Sequence, residues 1–351
     1  MGAGKNLEVR LNSRPDGLPR PSDFELVESE IPSPGSGEVL VRNLTMSVDP
    51  YMRGRMADRA SYAPPFQLGE TLQGGAVGRI EASNGNAKLK QGDIVLSQNG
   101  WRTWFVSDGM DLTKIDPAKM PSRPDGTKVG VEAYLGALGM PGLTAYVGLK
   151  RIGQLKKDDR VLVSAAAGAV GSLVCQMARN TGCEIVVGSA GSAEKCAYLT
   201  NDLGVTAAIN YREAGDLSAA VAEAMPGGID LYFENVGGAH LEAALANMRL
   251  GGRIVVCGMI DLYNESAPPP GPRNIVLVLA RRLKMQGFLV FDHFDLMEQF
   301  LDDMGEWIAA GKITWRQTVV DGLERAPGAL IGLFLGENTG KMLVRLAEDE
   351  G

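Results

Sequence analysis

The chain has 351 residues, of which 45% are hydrophobic and 22% are charged. Because a single hydrophobic core stops growing at roughly 250–300 residues, this length predicts two domains. The 35 Lys and Arg residues are outnumbered by 42 Asp and Glu residues, which gives a net charge of −7. Nucleic acid is therefore not an expected partner, since phosphate binding depends on clustered cationic side chains.

Cysteine and histidine are scarce and fall late in the chain. The cysteines, which form no CxxC pair, are Cys175, Cys183, Cys196 and Cys257. They suit a reducing compartment, so we expect a cytoplasmic protein. The first 174 residues contain neither Cys nor His, so no metal site is predicted. The longest apolar runs, such as residues 275–280, are too short to cross a bilayer, and no membrane partner is expected.

The first 130 residues have the pattern of irregular β structure. Strand-like runs at residues 38–42, 76–80 and 93–97 alternate with turns rich in Gly, Pro and Asn. This alternation predicts a partly open β-barrel rather than a helical bundle.

From about residue 140, apolar β-branched runs alternate with helical stretches, which is typical of a parallel sheet with crossover helices. The predicted strands are residues 160–164, 184–189, 207–210, 229–234, 253–258 and 284–291, and the predicted helices include 170–181, 193–203, 239–248 and 295–310. This order predicts an α/β protein with a doubly wound Rossmann sheet. Two last strands, 313–320 and 342–346, are expected to return to the first domain. The predicted domains are therefore 1–131 with 312–351, and 132–311.

Residues 165–171 follow a predicted strand directly and open a helix. They depart from the G-x-G-x-x-G pattern by carrying alanine in place of glycine. Small residues nevertheless let the backbone approach a pyrophosphate at the helix N-terminus. In this strand–turn–helix context we predict a dinucleotide site. Its residues are Ala167, Gly168, Ala169, Val170 and Gly171. A tight structural turn is the alternative.

The end of the second strand of this unit favours NADP(H) over NAD(H). An NAD site usually carries Asp or Glu there to hold the ribose hydroxyls, but residues 187–192 contain no carboxylate. Small residues up to Ser192 leave room for a 2′-phosphate, Lys195 supplies positive charge, and Tyr211 can supply a hydroxyl. The alternatives are that Lys195 is an ordinary solvated lysine and that the site accepts both cofactors.

The loops after the fourth and fifth strands are expected to flank the nicotinamide, because ligands of open α/β sheets sit beyond the carboxyl ends of strands. The candidate contacts are Asn235, Cys257 and Gly258. Plain turns are the alternative for both loops.

A series of motifs spans nearly the whole chain. They are residues 46–56, 139–146, 165–171, 234–238, 257–258 with 262–264, 287–292, and 336–341. In this order they resemble the zinc-independent branch of the medium-chain dehydrogenase/reductase superfamily. Within it, the chain is most similar to the group of prostaglandin reductases, plant double-bond reductases and bacterial curcumin reductases.

The resemblance implies a GroES-like catalytic domain around a Rossmann domain, NADPH as cofactor, and a homodimer. It implies that Lys195 and Tyr211 contact the 2′-phosphate and that Tyr51 and Tyr263 line the substrate pocket. The further cofactor contacts that it implies are Met140, Thr144, Asn235, Cys257, Phe288, Val290 and Asn338. Ala167 is a departure, since the family often has Ser or Thr there.

Reduction of an activated C=C bond suits a site without zinc, because the substrate carbonyl itself withdraws electrons. Hydride addition to the β-carbon then needs an aligned substrate and a donor to the enolate oxygen. We expect Tyr263 to donate this hydrogen bond and Tyr51 to share the task or shape the pocket, since tyrosine is neutral at pH 7. Core packing is the alternative for both, and water or a cofactor ribose hydroxyl are alternative proton sources.

Other side chains have weaker signals. Aromatic residues that could line an apolar pocket are Tyr62, Phe66, Trp101, Trp104, Phe288 and Phe291. Arg53 and Arg55 are expected to pair with nearby carboxylates, with an acidic substrate as the alternative. His240 and His293 are expected to be structural or exposed.

The predicted function is NADPH-dependent reduction of α,β-unsaturated ketones or aldehydes, with small electrophilic alkenes as partners and curcumin-like compounds as candidate substrates by resemblance. An NADPH:quinone oxidoreductase with the same cofactor geometry is the alternative enzyme. A non-catalytic NADPH-binding sensor is the alternative outside catalysis.

Overall fold

The computed structural model describes residues 4–267 and 269–348. Its strands are β1 Lys5–Leu11, β2 Phe24–Glu30, β3 Val39–Ser47, β4 Ala76–Ser83, β5 Ile94–Ser97, β6 Trp104–Ser107, β7 Thr113–Ile115, β8 Val161–Val163, β9 Val186–Ala190, β10 Ala207–Asn210, β11 Ile229–Glu234, β12 Met248–Val256, β13 Lys284–Gly287, β14 Gln317–Asp321 and β15 Lys341–Arg345. Its α-helices are α1 Tyr51–Arg55, α2 Met140–Val147, α3 Gly171–Thr181, α4 Ala193–Ala197, α5 Leu217–Ala224, α6 Gly238–Asn247, α7 Leu277–Ala280, α8 Met297–Ala309 and α9 Ala326–Leu335.

The first large sheet is mainly antiparallel and has the order β14-β15-β3-β4-β5-β7, with β6 also paired to β3. Val39 and Val41 on β3 are fully buried, since alternate side chains of a strand point to the same face. The C-terminal strand β15 pairs with β3 through residues 343–345. The chain therefore returns to its first sheet, as the sequence predicts.

The second sheet has six parallel strands in the order β10-β9-β8-β11-β12-β13. Its central strands bury residues such as Val161, Val163, Leu231 and Phe233, as a sheet covered by helices on both faces requires. The strand order reverses between β8 and β11, and in this fold ligands bind beyond the carboxyl ends of the strands at that point. The predicted α/β class, with a Rossmann sheet and a second β domain, is confirmed.

Some predicted bounds shift, since β12 begins at Met248 rather than residue 253 and β14 begins at Gln317 rather than residue 313. Two predicted elements also change type along their length. The strand predicted over 284–291 stops at Gly287, because among the described strands β13 pairs only with β12 and Val290 turns into the core. A 3₁₀-helical stretch, Val290–Leu296, follows it. The helix predicted over 193–203 divides into α4 and a π-helical turn, Tyr198–Asp202.

The sheets follow the predicted division of the chain, with β8 to β13 between residues 132 and 311 and β14 and β15 after it. The domain boundaries themselves stay a prediction, and residues 1–3 and 349–351 of the predicted first domain lie outside the described residues. In the part of the chain that the structure describes, no helix is long and apolar enough to span a membrane.

Candidate active site

The turn that joins β8 to α3 depends on backbone contacts that only small residues allow. A Cβ atom on Gly171 would lie 2.4 Å from the Ala165 carbonyl oxygen, so a larger residue would push the helix away from the strand. The predicted residues of the turn are Ala167, Gly168, Ala169, Val170 and Gly171, and they lie at the N-terminus of α3. Unpaired amides and the helix dipole at this end suit the negative charge of a pyrophosphate.

Residues 338–340, near the C-terminus, are hydrogen-bonded to this turn. The Gly340 amide donates a hydrogen bond to the Ala167 carbonyl oxygen at 2.7 Å. Asn338 Nδ2 donates in turn to the Gly340 carbonyl oxygen, also at 2.7 Å. Asn338 therefore lies beside the turn, although it is near the end of the sequence.

Two cations meet beyond the ends of β9 and β10. Lys195 Nζ donates to the Gly336 carbonyl oxygen at 2.7 Å, and Arg212 Nη2 donates to the Leu335 carbonyl oxygen at 3.1 Å. Burial and the positive charge of Arg212 lower the pKa of Lys195. Within residues 4–267 and 269–348, neither cation pairs with a carboxylate. The pair is therefore free to bind an anion such as a 2′-phosphate.

Ser192 and Tyr211 complete this corner. Ser192 Oγ accepts a hydrogen bond from the Lys195 amide at 3.2 Å and caps α4. The Tyr211 hydroxyl lies 2.8 Å from the position where Gly191 would carry a Cβ atom. The three predicted side chains thus lie together. Arg212 is absent from the sequence prediction, although a basic residue just past the third strand was a signal for it.

Glu234, at the end of β11, organises the loops on the nicotinamide side and is also absent from the sequence prediction. Its Oε1 atom accepts hydrogen bonds from Ser164 Oγ at 3.0 Å and from the Tyr232 hydroxyl at 2.8 Å. The amides of Val236 and Gly237 donate to the same oxygen. Full burial of the carboxyl group raises its pKa. The loop geometry therefore depends on a buried acid.

The loops after β11 and β12 are hydrogen-bonded to each other, and their contact with the nicotinamide stays a prediction. Asn235 Nδ2 donates to the Ser164 carbonyl oxygen at 2.8 Å. The amides of Cys257 and Gly258 donate to the Glu234 carbonyl oxygen at 3.0 and 3.1 Å. Burial raises the pKa of the Cys257 thiol to about 12, so this side chain is a packing group rather than a nucleophile at pH 7.

Helix α2 presents Met140 and Thr144 on one face. Both are half-buried whereas the other residues of this helix are buried, and Thr144 Oγ1 donates to the Met140 carbonyl oxygen at 2.7 Å. The Phe288 ring lies beside the end of α2, 3.2 Å from the Cβ position of Gly148. Val290 is buried in the same core. Met140 and Thr144 thus share one face of α2, and Phe288 packs at the end of the same helix.

Tyr51 begins α1 and Tyr263 lies in the loop after β12, but the two hydroxyls share an environment. Burial raises the pKa of both hydroxyls, with a smaller contribution from Asp49 to Tyr51. The electrostatic field of Tyr62 also raises the pKa of both hydroxyls, and the field of Cys257 raises the pKa of Tyr62 and of Tyr263. These fields, and the hydrogen bond at 3.2 Å from Arg53 Nε to Asn264 Oδ1, place the three tyrosines near one another beside the loop after β12.

The Tyr263 hydroxyl is fixed by the backbone. It accepts a hydrogen bond from the Met259 amide at 3.3 Å and lies 3.0 Å from the Cβ position of Gly258. Among the described residues, it donates to no acceptor. Its proton is therefore available to a substrate oxygen.

The predicted aromatic pocket residues separate into two groups. Trp101 is fully buried and stacks on Phe24 at 6.1 Å between centroids, so it belongs to the core. Phe66 is buried beneath Arg55, and Trp104 lies on β6 under Arg42. Tyr62 and Phe291 are more than half exposed.

The expectation that Arg53 and Arg55 pair with carboxylates is wrong. Arg53 donates to the carbonyl oxygens of Pro15 and Gly17 and to the Asn264 side chain. Arg55 donates to the Pro64 carbonyl oxygen and to Gln73 Oε1, both at 2.8 Å. Both guanidinium groups are held by neutral acceptors.

The two histidines have packing roles in the structure. His240 is buried with its ring edge-on to Tyr211, 4.9 Å between centroids, and burial lowers its pKa to about 4. His293 Nδ1 lies 3.2 Å from Arg151 Nη1. No group of three or more His, Cys, Asp or Glu within the described ranges could hold a metal ion.

Three features point to one class of protein. They are the small-residue turn at the N-terminus of α3, the two cations Lys195 and Arg212, and the Tyr263 hydroxyl, which donates to no acceptor among the described residues. Together they are typical of a two-domain, dinucleotide-dependent oxidoreductase. Residues 8–115 match the family model for the N-terminal domain of oxidoreductase, and residues 169–306 match the model for zinc-binding dehydrogenase. The chain belongs to the zinc-independent branch of the medium-chain dehydrogenase/reductase family.

Similar proteins cover the whole chain. The NADPH-dependent curcumin reductase of Escherichia coli K12 is 42% identical over 357 residues, which is 100% of both chains. The NADP(+)-dependent 2-alkenal reductase of Nicotiana tabacum is 42% identical and covers 98% of both. The crystal structure of CurA with NADPH from Vibrio vulnificus is 41% identical with a TM-score of 0.89, covering 98% of this chain and 100% of that one.

Proposed function

We propose that this protein is an NADPH-dependent reductase of the C=C bond of α,β-unsaturated ketones and aldehydes. The observation that carries the proposal is the Tyr263 hydroxyl, which the Met259 amide fixes in place while its proton stays free. The relatives named curcumin reductase and 2-alkenal reductase, similar over the full chain, support the same chemistry.

NADP(H) is the cofactor, and the residues of the crevice fit it. We propose that residues 167–171 hold the pyrophosphate, while Ser192, Lys195, Tyr211 and Arg212 hold the 2′-phosphate. The residues proposed for the nicotinamide side are Met140, Thr144, Asn235, Cys257, Gly258, Phe288 and Val290, and Asn338 is proposed to contact the cofactor beside the 167–171 turn. When bound, NADPH supplies the hydride that the substrate β-carbon accepts.

The protein's own task is to align the alkene and stabilise the negative charge that develops on the carbonyl oxygen. We propose that Tyr263 donates a hydrogen bond to that oxygen, because a preorganised donor in a site shielded from water costs little reorganisation. Its raised pKa keeps the hydroxyl protonated. Tyr51 shapes the other wall of the cleft or donates as well. Proton delivery to the α-carbon then comes from Tyr263 or from water.

We propose a homodimer that forms through the edge of the parallel sheet. β13 pairs only with β12, which leaves the outer backbone groups of this strand without a strand partner among the described residues. Large apolar side chains are exposed around this edge, namely Ile275, Val276, Leu279, Met285, Phe291 and Phe294. Exposed apolar side chains near an open strand edge favour self-association. Light scattering of the native protein and of Leu279→Glu tests this, with a monomeric native protein as the contradicting result.

We also propose a division of the chain into domains and a location for the protein. The catalytic domain comprises residues 1–131 and 312–351, and the cofactor domain comprises 132–311. The four cysteines, all free thiols, support a cytoplasmic location.

The first experiment measures NADPH consumption with a panel of enones, enals and quinones, together with the mass of each product. A saturated ketone with two added hydrogens supports alkene reduction. Turnover of quinones alone would favour the quinone oxidoreductase, and tight NADPH binding without any turnover would favour the sensor. Repeating the panel with NADH tests the choice of cofactor.

A further inference from the structure

Arg53 lies on α1, two residues after Tyr51, and its side chain is almost completely buried. Its Nε atom donates to the Gly17 carbonyl oxygen and to Asn264 Oδ1, both at 3.2 Å. Its Nη2 atom donates to the carbonyl oxygens of Pro15 and Gly17, at 3.2 and 2.9 Å. A buried guanidinium is thus bound by acceptors from two distant parts of the chain.

One set of acceptors belongs to residues 14–17, which lead from β1 toward β2. This segment is anchored to the catalytic domain, because Arg14 Nη1 donates to the Met56 carbonyl oxygen at 2.9 Å. It also reaches the loop that follows β12, since Ser266 Oγ donates to Asp16 Oδ1. Residues 14–17 therefore run between α1 and the loop that follows β12.

The other acceptor, Asn264, follows Tyr263 directly. Arg53 therefore connects α1, which carries Tyr51, to the loop that carries Tyr263. One residue separates Tyr51 from Arg53, and Tyr263 is the direct neighbour of Asn264. We call Arg53, residues 14–17, Asn264 and Ser266 the clasp. The link between Gly340 and Ala167 also joins the two sheets, but it lies at the pyrophosphate turn. The clasp acts at the substrate end of the cleft.

We propose that Arg53 is a positioning residue that sets the placement of Tyr263 relative to Tyr51 and so aligns the substrate carbonyl with its donor. The proposal rests on the proposed reductase function. A planar guanidinium holds several acceptors in fixed directions, which a lysine ammonium on a flexible stem does not reproduce. Because misplacement of about 1 Å can cost about 100-fold in rate, loss of the clasp acts on turnover.

The test compares steady-state kinetics of full-length variants with NADPH and a small enone. We expect Arg53→Met to lower kcat by about 10- to 100-fold. The NADPH dissociation constant stays within about twofold, because no atom of the clasp touches Lys195 or Arg212. The isotope effect with deuterated NADPH rises, since hydride transfer becomes more fully rate-limiting. A general loss of stability would instead reduce the active fraction and leave this isotope effect unchanged.

Variants of Asn264 are the second part of the test. Asn264→Ala removes one acceptor and lowers kcat less than Arg53→Met, whereas Asn264→Asp keeps an oxygen acceptor and restores most of the rate. The double variant Arg53→Met/Asn264→Ala is no slower than Arg53→Met, because both changes remove the same link. Arg345→Met is the matched control, since Arg345 is half-exposed on β15 and its ion-pair partner within the described ranges is Asp321 at 3.4 Å.

Each outcome decides between the hypotheses. A native-like kcat in Arg53→Met, or additive effects in the double variant, would overturn the clasp while leaving the reductase function intact. If Arg53→Met does not fold, equal rates of Asn264→Ala and Asn264→Asp overturn it. A native protein that reduces no enone overturns the proposed function itself.

Discussion

The cofactor end and the substrate end of the crevice are built in different ways. At the cofactor end, the shape of the turn depends on a local contact: the Cβ atom that Gly171 lacks would collide with the carbonyl oxygen of Ala165, six residues earlier. At the substrate end, Arg53 reaches Asn264, which is 211 residues away in sequence. A contact between residues close in sequence can be recognised as a short motif, whereas a contact between residues distant in sequence produces no such motif.

The two ends also differ in charge. The cofactor end gathers Lys195 and Arg212 without a carboxylate partner among the described residues, which suits a phosphate. The substrate end presents neutral tyrosine hydroxyls with raised pKa values. One end is therefore suited to bind a permanent anion and the other to meet a charge that develops only during the reaction. Variants at the two ends should therefore affect different kinetic constants.

The largest effect is expected for Tyr263→Phe. Removal of one preorganised donor to a developing oxyanion lowers kcat by about 100- to 1000-fold, with NADPH affinity unchanged. Because burial raises the pKa of Tyr263, the native rate should stay level between pH 7 and pH 9 and fall only above the ordinary tyrosine value of about 10. The pH profile of kcat checks this. Tyr51→Phe is the comparison, with a smaller loss, and a full rate in Tyr263→Phe would refute the assignment.

Next in size is Gly171→Val, which tests the cofactor end. The new side chain collides with the Ala165 carbonyl oxygen, and overpacking of this kind costs about 1–3 kcal/mol of stability. Because the displaced turn no longer presents its amides to the pyrophosphate, we expect NADPH affinity to fall by about 10- to 100-fold. Titration of the protein with NADPH, followed by fluorescence, measures the change. Gly168→Ala is the control, because its Cβ atom would lie 3.2 Å from the same oxygen. Native affinity in Gly171→Val would show that the turn does not hold the cofactor.

Lys195→Ala and Arg212→Ala should each have an effect of similar size. Loss of one charge-assisted hydrogen bond costs about 1.5–3 kcal/mol, so KM for NADPH rises by about 10- to 100-fold. KM for NADH stays unchanged, because NADH has no 2′-phosphate. The ratio of kcat/KM for the two cofactors is the measurement. An equal loss with NADH would place both cations away from the phosphate.

The sequence predicts the local features and misses those that depend on the tertiary structure. The turn at 167–171, the alternation of strands and helices and the nearness of Ser192, Lys195 and Tyr211 all follow from patterns within a short stretch of chain. The surroundings of Arg53 and Arg55 do not, because carbonyl oxygens from Pro15 or Pro64 carry no signature in the sequence. The same holds for the early end of β13, where an edge position outweighs an apolar, β-prone run.

The smallest effect on turnover is expected at His240, which lies against Tyr211 at the cofactor end. Its Nε2 atom is buried without a hydrogen-bond partner among the described residues, and its pKa is lowered to about 4 by burial. The unfolded chain therefore binds a proton more readily, so the native protein loses on the order of 2 kcal/mol of stability between pH 7 and pH 5 from this group alone. His240→Phe keeps a ring against Tyr211 but does not titrate. Denaturant unfolding at both pH values should show a smaller loss for this variant, with kcat at pH 7 unchanged. An equal loss of stability in the variant and the native protein would mean that His240 is already charged in the fold, and that the cofactor end tolerates a buried cation beside Tyr211.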